Sequence, residues 1–203
     1  LAGIKIVYLP GSYQAELYCA RSLLKFALSD YPPPARLSKM LKLVEKDSGI
    51  DYSQQQLDAI ESAATSGLLL ITGGPGTGKT TIINAIIDVM RSNGLSVTLT
   101  APTGRAAKRM SEATSMEAKT IHRLLEVKHA DGETLRFVHD ENNQLDCDVM
   151  IIDEMSMVDS CLFEALLRAI SVTCKLVLVG DSDQLPSVGA GNVLKDIIDS
   201  GVM

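Results

Sequence analysis

One short stretch, LLLITGGPGTGKTT at residues 68–81, constrains this chain more than any other. An apolar run precedes a glycine-rich turn, and the spacing of Gly73, Gly78 and Lys79 fits the pattern G-x-x-x-x-G-K-[ST]. Glycines let the backbone N–H groups face phosphate oxygens, and the following helix start adds a favourable dipole. The pattern predicts a nucleoside triphosphate site, with Lys79 on the β- and γ-phosphates and Thr80 on Mg²⁺. The expected contacts are Gly74, Pro75, Gly76, Thr77, Gly78, Lys79, Thr80 and Thr81.

The pattern of apolar residues after residue 51 predicts the fold class. Short, nearly continuous apolar runs are typical of parallel strands that are covered on both faces. Such runs alternate with helical stretches, which predicts an α/β domain with a mostly parallel sheet and helices on both faces. The runs are at 68–72, 96–100, 148–153 and 175–180, and the helical stretches are at 79–92, 103–113, 159–170 and 192–200.

Two segments depart from this alternation. Residues 1–50 are predicted to form a mainly helical annex or linker, with a short strand at 4–10 and a stiff break at the prolines 32–34. Helices are expected at 14–28 and 36–46. Within the α/β region, 128–146 contains the turn signal Asp131-Gly132 and is predicted to be an inserted β-hairpin. The domain boundaries are therefore expected at 1–50 and 51–203.

Composition excludes some classes of protein. The 203 residues carry a net charge of −6, which argues against a general polycation, although basic residues are concentrated between 105 and 123. No apolar run approaches the roughly 20 residues of a membrane span, and no signal-peptide pattern is present. Four scattered cysteines predict buried free thiols and a reducing cytoplasm. Because the chain begins at Leu1, we expect it to be a piece of a longer protein.

The second motif is an acidic pair at the end of the third apolar run, in DVMIIDEMSMVD. Asp153 and Glu154 come at the carboxyl end of this predicted strand, which is the ligand side of a parallel sheet. Asp153 is expected to hold Mg²⁺, and Glu154 to orient and deprotonate an attacking water molecule. A solvated loop is the alternative for two adjacent carboxylates, but the phosphate loop favours hydrolysis.

Two polar segments are candidates for contact with nucleic acid. TAPTGRAAKRM and KTIHRLL combine small donors with cations, which suits a phosphodiester backbone. The alternatives are a helix cap at Thr103 with a solvated basic face, and an ordinary surface histidine at His122.

Gln56 follows the predicted helix cap Ser53 and could read an adenine edge, because its amide both donates and accepts. In LVLVGDSDQLPSVGAGN, Gln184 comes just after the last strand.

Together, SQQQLDAI, GGPGTGKTT, APTGRAAKRM, TIHRLL, IIDEMSMVD and GDSDQLPSVGAGNVL closely resemble the RecD-like group of superfamily 1 DNA helicases, in the family's order. The resemblance covers residues from about 51 to 200 and implies a RecA-like motor domain that uses ATP and Mg²⁺ and moves 5′ to 3′ on single-stranded DNA. It implies that Gln56 reads adenine and that Gln184 contacts the γ-phosphate and relays its presence to DNA. The DNA-facing residues that it implies are Pro102, Thr103, Gly104, Arg105, Thr120 and His122.

The family uses two RecA-like domains with ATP between them, and the second has no counterpart in these 203 residues. The resemblance therefore implies that this chain alone hydrolyses ATP slowly and does not unwind DNA, because arginines of the second domain would stabilise the transition state. The implied partners are single-stranded DNA and duplex junctions, where the hairpin 128–146 would help to split strands. The second RecA-like domain and exonuclease or single-strand-binding proteins are further implied partners, and no membrane is expected.

Two alternatives to a free-standing helicase remain open from the sequence. The longer protein could be the helicase subunit of an exonuclease complex, of the exodeoxyribonuclease V alpha type, or the helicase half of a conjugative relaxase. It could instead be a P-loop ATPase switch or loader that acts on protein. A switch would keep Lys79 and Asp153 but would not need Thr103, Arg105 and Thr120.

Overall fold

The computed structural model describes residues 9–128 and 136–201. The helices α1 to α8 of that part are Pro10–Ala27, Leu37–Ser48, Gln54–Thr65, Lys79–Ser92, Gly104–Thr114, Ile121–Leu125, Ser160–Arg168 and Val193–Ser200. The strands β1 to β7 are Leu68–Thr72, Val97–Ala101, Ala118–Thr120, Val127–Lys128, Arg136–Phe137, Val149–Ile152 and Lys175–Gly180. A 3₁₀ turn, Met155–Met157, follows β6.

The main sheet has five strands in the order β1-β7-β6-β2-β3, and every neighbouring pair is parallel. The inner strands β6 and β7 are buried along their whole length, as their unbroken apolar sequences predict. In the register of β1 and β7, Thr72 lies opposite Gly180, so both strands end at the same edge. The predicted α/β class with a parallel sheet is confirmed.

A hydrophobic core lies on each face of the sheet. Because side chains alternate along a strand, Met150 and Ile152 belong to one core and Val149 and Ile151 to the other. The first core also contains residues of α1, α7 and α8, and the second contains residues of α2, α3 and α4. Helices therefore cover both faces, as predicted.

The N-terminal helices are built onto these layers. Helix α1 packs against α7 and β1 and buries Phe26, whereas α2 packs against α4 and buries Val44. The strand predicted at 4–10 is wrong at its end, because Pro10 opens α1, where the missing N–H of proline costs no helical hydrogen bond. Residues 4–8 lie outside the described part of the chain. The annex helices share the two cores of the α/β layers.

Two short β features lie between β2 and β6 along the chain. Strand β3 was not predicted, because it has only three half-buried residues and pairs with β2 alone. Strands β4 and β5 form an antiparallel pair in which Val127 lies opposite Phe137. This pair falls in the region of the predicted hairpin, whose turn signal Asp131-Gly132 is outside the described residues. In the ranges 9–128 and 136–201, no helix is long and apolar enough to cross a membrane.

Candidate functional site

The predicted phosphate loop connects the end of β1 to the first residue of α4. Gly76 and Gly78 have φ angles of 76° and 84°, a left-handed backbone that glycine adopts without steric cost. Gly73 N–H donates to the carbonyl of Gly180 at 3.3 Å, which ties the loop to the end of β7. The first N–H groups of α4 have no partner within the helix and are available to an anion.

The ammonium group of Lys79 turns back toward the loop. Its Nζ donates to the carbonyl of Gly74 at 2.9 Å and also contacts the carbonyl of Gly73. Thr77 Oγ1 donates to the same carbonyl of Gly74, at 2.9 Å. The loop therefore holds the positive charge of Lys79. A phosphate oxygen would compete with the two carbonyls for this ammonium group.

Asp153 follows β6 at the same edge of the sheet as the loop. Burial raises the pKa of its carboxyl group, the N–H of Glu154 that donates to Oδ1 at 2.8 Å lowers it, and the charge of Glu154 raises it further. A divalent cation would favour the ionised form. The Asp153 carboxylate and the Thr80 hydroxyl line one cavity, and both are oxygen ligands of the kind that Mg²⁺ prefers.

The described part of the chain contains no group of three or more His, Cys, Asp or Glu residues that could hold a metal ion. A cation between Thr80 and Asp153 would therefore need further ligands from water and from nucleotide phosphates. Mg²⁺ is usually bound in this way, through one or two protein oxygens and the phosphates of its substrate. The residues present fit a nucleotide-bound magnesium ion.

Glu154 adopts a left-handed backbone with φ of 57°, which is uncommon for a residue with a side chain. Its Oε1 accepts a hydrogen bond from Nη2 of Arg109 at 3.0 Å. Its side chain is 16% exposed, whereas that of Arg109 is 66% exposed. The sequence predicted a role for Glu154 and counted Arg109 among the cations suited to a phosphodiester backbone, but it did not predict that the two side chains meet.

A cavity of about 530 Å³ brings the predicted site residues together. It is lined by Lys79 and Thr80 of α4, by the acid pair after β6 and by Gln184 after β7, so three separate segments meet there. Helix α5 forms one wall through residues spaced three, four and seven apart, a helical periodicity that could have identified them. These wall residues are Ala106, Arg109, Met110 and Ala113. The predicted contacts Gly74 and Thr81 are outside the lining, and Thr81 lies in the first turn of α4.

Gln56 lies beside this cavity. Ser53 Oγ accepts from the Gln56 N–H at 3.3 Å, and Gln56 Oε1 accepts from the Ser53 N–H at 2.9 Å, so the two residues form a capping box for α3. The Gln56 Nε2 atom lies 2.8 Å from the position that a Cβ on Gly78 would occupy. The structure therefore places the predicted adenine-reading amide against the phosphate loop.

Asp181 organises the loop that carries Gln184. It is 3% exposed, and its Oδ1 accepts from the Asp183 N–H at 3.0 Å. The backbone N–H of Gln184 donates to the backbone carbonyl of Asp181 at 3.3 Å, and its Nε2 donates to Asp181 Oδ2 at 3.4 Å. Gly191, with φ of 97°, then lies against Ser160 at the start of α7. The loop is held at both ends, with Gln184 exposed between them.

The proposed nucleic-acid residues lie near the ends of two neighbouring strands. Ala101 of β2 is opposite Thr120 of β3, so the segments that follow leave the sheet side by side. The hydroxyls of Thr103 and Thr120 cap α5 and α6 by accepting from Ala106 and Arg123 N–H, each at 3.2 Å. Both threonines are therefore helix caps, which was the alternative interpretation for Thr103. Pro102 is half-buried, and the exposed members of the set are Gly104, Arg105 and His122.

A second cavity, of about 430 Å³, lies between α1 and α8. Its lining is mostly apolar and includes Leu23, Leu24 and Ile197. It shares no lining residue with the first cavity and contains none of the predicted site residues.

Comparison with known proteins identifies the family. Residues 56–190 match the family model described as AAA domain. The chain is 38% identical over 185 residues to the ATP-dependent RecD2 DNA helicase of Deinococcus radiodurans, covering 91% of this chain and 25% of that protein. It is 34% identical to the RecBCD enzyme subunit RecD of Mycobacterium tuberculosis, covering 96% and 36%, respectively.

A solved structure agrees with this match. The Pif1 helicase from Candida albicans superposes with a TM-score of 0.51 at 27% identity, over 69% of this chain and 34% of that chain. The present chain thus spans about a quarter to about a third of the length of these relatives. Over nearly its whole length it is similar to RecD proteins, and it belongs to the RecD-like family of superfamily 1 DNA helicases.

Proposed function

We propose that this chain is the first motor domain, residues 51–203 with the annex 1–50, of an ATP-dependent DNA helicase that moves 5′ to 3′ on single-stranded DNA. The observation that carries the proposal is the cavity in which Lys79, Thr80 and the acid pair meet Gln184. An ATP-driven motor needs a phosphate loop, an acid that binds magnesium, a base and a polar residue from a third segment.

The proposed binding of ATP uses the phosphate loop and its surroundings. The backbone of residues 74–78 and the ammonium of Lys79 would hold the β- and γ-phosphates, and Thr81 would support the first turn of α4. Gln56 would read the adenine edge from beside Gly78. Mg²⁺, held by Thr80 and Asp153, would neutralise charge on the phosphates.

In the proposed hydrolysis step, Glu154 orients a water molecule and accepts its proton as the water oxygen attacks the γ-phosphorus. The bond from that phosphorus to the bridging oxygen breaks, and ADP leaves. Gln184 would contact the γ-phosphate and so sense whether it is still attached. Because its loop is anchored on Asp181 and on Ser160, a change at Gln184 can be passed to neighbouring elements.

The proposed DNA surface is formed by Pro102, Thr103, Gly104, Arg105, Thr120 and His122. Its support is the pairing of β2 with β3, which puts both segments at one edge. The His122 ring lies 6.0 Å from the Phe137 ring of β5, so the surface continues to the β4–β5 pair. The segment 128–146 would meet the duplex junction there. A second RecA-like domain would complete the ATP site, so the 203 residues alone should hydrolyse ATP slowly.

A second candidate is favoured by one of the relatives. The Mycobacterium tuberculosis protein is named as a subunit of the RecBCD enzyme, so the longer protein could work as a helicase subunit with exonuclease or single-strand-binding partners. Co-purification of the full-length protein from its own cells would separate the two cases. We place it in the cytoplasm, which the three buried free thiols support.

The test uses the full-length protein with and without oligo-dT. We expect single-stranded DNA to stimulate ATP hydrolysis of the wild type, and Gln184→Ala to lose most of that stimulation while it still binds nucleotide. Ser182→Ala, an exposed neighbour in the same loop, should behave as wild type. If single-stranded DNA neither binds at low salt nor stimulates hydrolysis, the helicase proposal is wrong, because phosphate contacts dominate binding there.

A further inference from the structure

The proposed base, Glu154, is covered by an arginine. Arg109 Nη2 and Glu154 Oε1 are 3.0 Å apart and join α5 to the end of β6. The glutamate side chain is 16% exposed and the arginine side chain is 66% exposed. The carboxylate is therefore the inner partner, and the guanidinium closes it off from the solvent side.

The backbone around Glu154 leaves its side chain few alternatives. Its N–H donates to Asp153 Oδ1 at 2.8 Å, and the next residue, Met155, is fully buried. The main chain is thus held on both sides of Glu154, in a left-handed conformation. The direction of the carboxylate then depends on the side-chain rotamer of Glu154. The rotamer in this structure directs the carboxylate to Arg109.

Helix α5 connects this contact to the proposed DNA surface. Thr103 caps the helix and Arg105 lies in its first turn, whereas Arg109 follows one turn later, about 6 Å along the axis. The face that lines the nucleotide cavity begins at Ala106 and includes Arg109. A ligand that pulls on the start of α5 therefore acts on the same rigid element that carries Arg109.

We propose that Arg109 is a positioning residue that restrains Glu154 until DNA binds at the start of α5. This inference rests on the proposed function. The hydrogen bond from Arg109 commits one of the two carboxylate oxygens of Glu154 and fixes the direction of its side chain. When DNA phosphate draws α5 and Arg109 away, Glu154 is free to take a proton from water. ATP can then bind without DNA but turns over slowly.

The experiment measures steady-state ATP hydrolysis by the full-length protein, with and without oligo-dT, for wild type and Arg109→Ala. We expect the DNA-independent kcat to rise about fivefold, with little change in the KM for ATP and a correspondingly smaller stimulation by DNA. Lys108→Ala is the matched control, because it removes one positive charge from the same helix. The Nζ of Lys108 lies 3.8 Å from Glu112 and 79% of its side chain is exposed.

A second variant checks that the extra turnover uses the carboxylate of Glu154. In the Arg109→Ala/Glu154→Gln double variant, the extra DNA-independent turnover should disappear, because it runs through the carboxylate. An unchanged or lower kcat for Arg109→Ala, with normal DNA stimulation of the wild type, would overturn the inference and leave the proposed function intact. Persistence of the extra turnover in the double variant would also overturn it. A wild type that DNA does not stimulate would remove both.

Discussion

The side-chain amide of Gln56 lies against Gly78, with Nε2 at 2.8 Å from the position of a Cβ on that glycine. Gly78 is also the residue before α4 and has a φ of 84°, a left-handed conformation that favours glycine. The contact joins the start of α3 to the start of α4. It places a group that can donate and accept beside the phosphate loop, while the same side chain caps its own helix.

Mutation can separate the two roles of Gln56, as a helix cap and as a contact for the adenine base. We expect Gln56→Ala to lower ATP affinity about tenfold and to remove any preference for ATP over GTP, because the amide would no longer meet the base. Ser53→Ala breaks the same capping box but keeps the amide, so it should cost helix stability and little affinity. Competition with a fluorescent nucleotide on the full-length protein checks this. Equal losses in both variants would reduce Gln56 to a helix cap.

Lys175 predicts an unusual dependence of stability on pH. Its Nζ is buried, donates to the carbonyls of Ala64 and Ser66, and lies 3.4 Å from the centre of the Tyr31 ring. Desolvation lowers the pKa of Lys175 from 10.5 to about 8. Between these values the unfolded state binds more protons than the folded state. The contribution of Lys175 to the free energy of unfolding should therefore rise with pH in that window, by on the order of 2 kcal/mol.

Urea unfolding at several pH values from 7.5 to about 10.5 measures this dependence. Lys175→Met should remove the contribution, so that the difference in stability between wild type and variant grows in favour of the wild type as pH rises through the window. Lys39→Met, at an exposed position of α2, should leave the slope unchanged. Parallel curves for wild type and Lys175→Met would show that the lysine keeps its proton on folding.

Gly191 is expected to tolerate no side chain. Its φ is 97°, and an added Cβ would lie 1.9 Å from Ser160 Oγ. Gly191→Ala should therefore destabilise the protein by about 2–4 kcal/mol, from backbone strain and from the clash. Gly94→Ala is the control, because Gly94 has a φ of 76° but open space around it. Thermal melting should show the smaller loss for Gly94→Ala, and equal losses would mean that strain alone matters.

The thiols should differ sharply in reactivity. Cys161 is exposed, whereas Cys19, Cys147 and Cys174 are buried. Burial, with smaller contributions from nearby Glu164, Cys161 and Glu16, raises the pKa of Cys19 to about 12. We expect iodoacetamide to modify Cys161 alone in the folded protein and all four residues in urea. Mass spectrometry of digested samples checks this, and Cys161→Ser should abolish native labelling. Early modification of Cys147 or Cys174 would contradict the packing of β6 and β7.

The sequence by itself determined the elements that local patterns specify. The strand β1, the loop and α4 follow from an apolar run, glycines with positive φ and a helical repeat, and α4 begins and ends where it was predicted. Capping chemistry is also local, which is why Ser53 could be predicted as the cap of α3. The family was recognisable because its motifs keep their residue types and order along the chain.

The tertiary structure alone decided which segments meet. Strand β3 is too short for a periodic signal and exists because β2 offers its edge. The contact of Arg109 with Glu154 depends on the strand order and on the rotation of α5 about its axis, neither of which neighbouring residues encode. The same holds for Gln56 beside Gly78. Local sequence specifies backbone conformation, whereas distances between segments are set by the packing of both cores against one sheet.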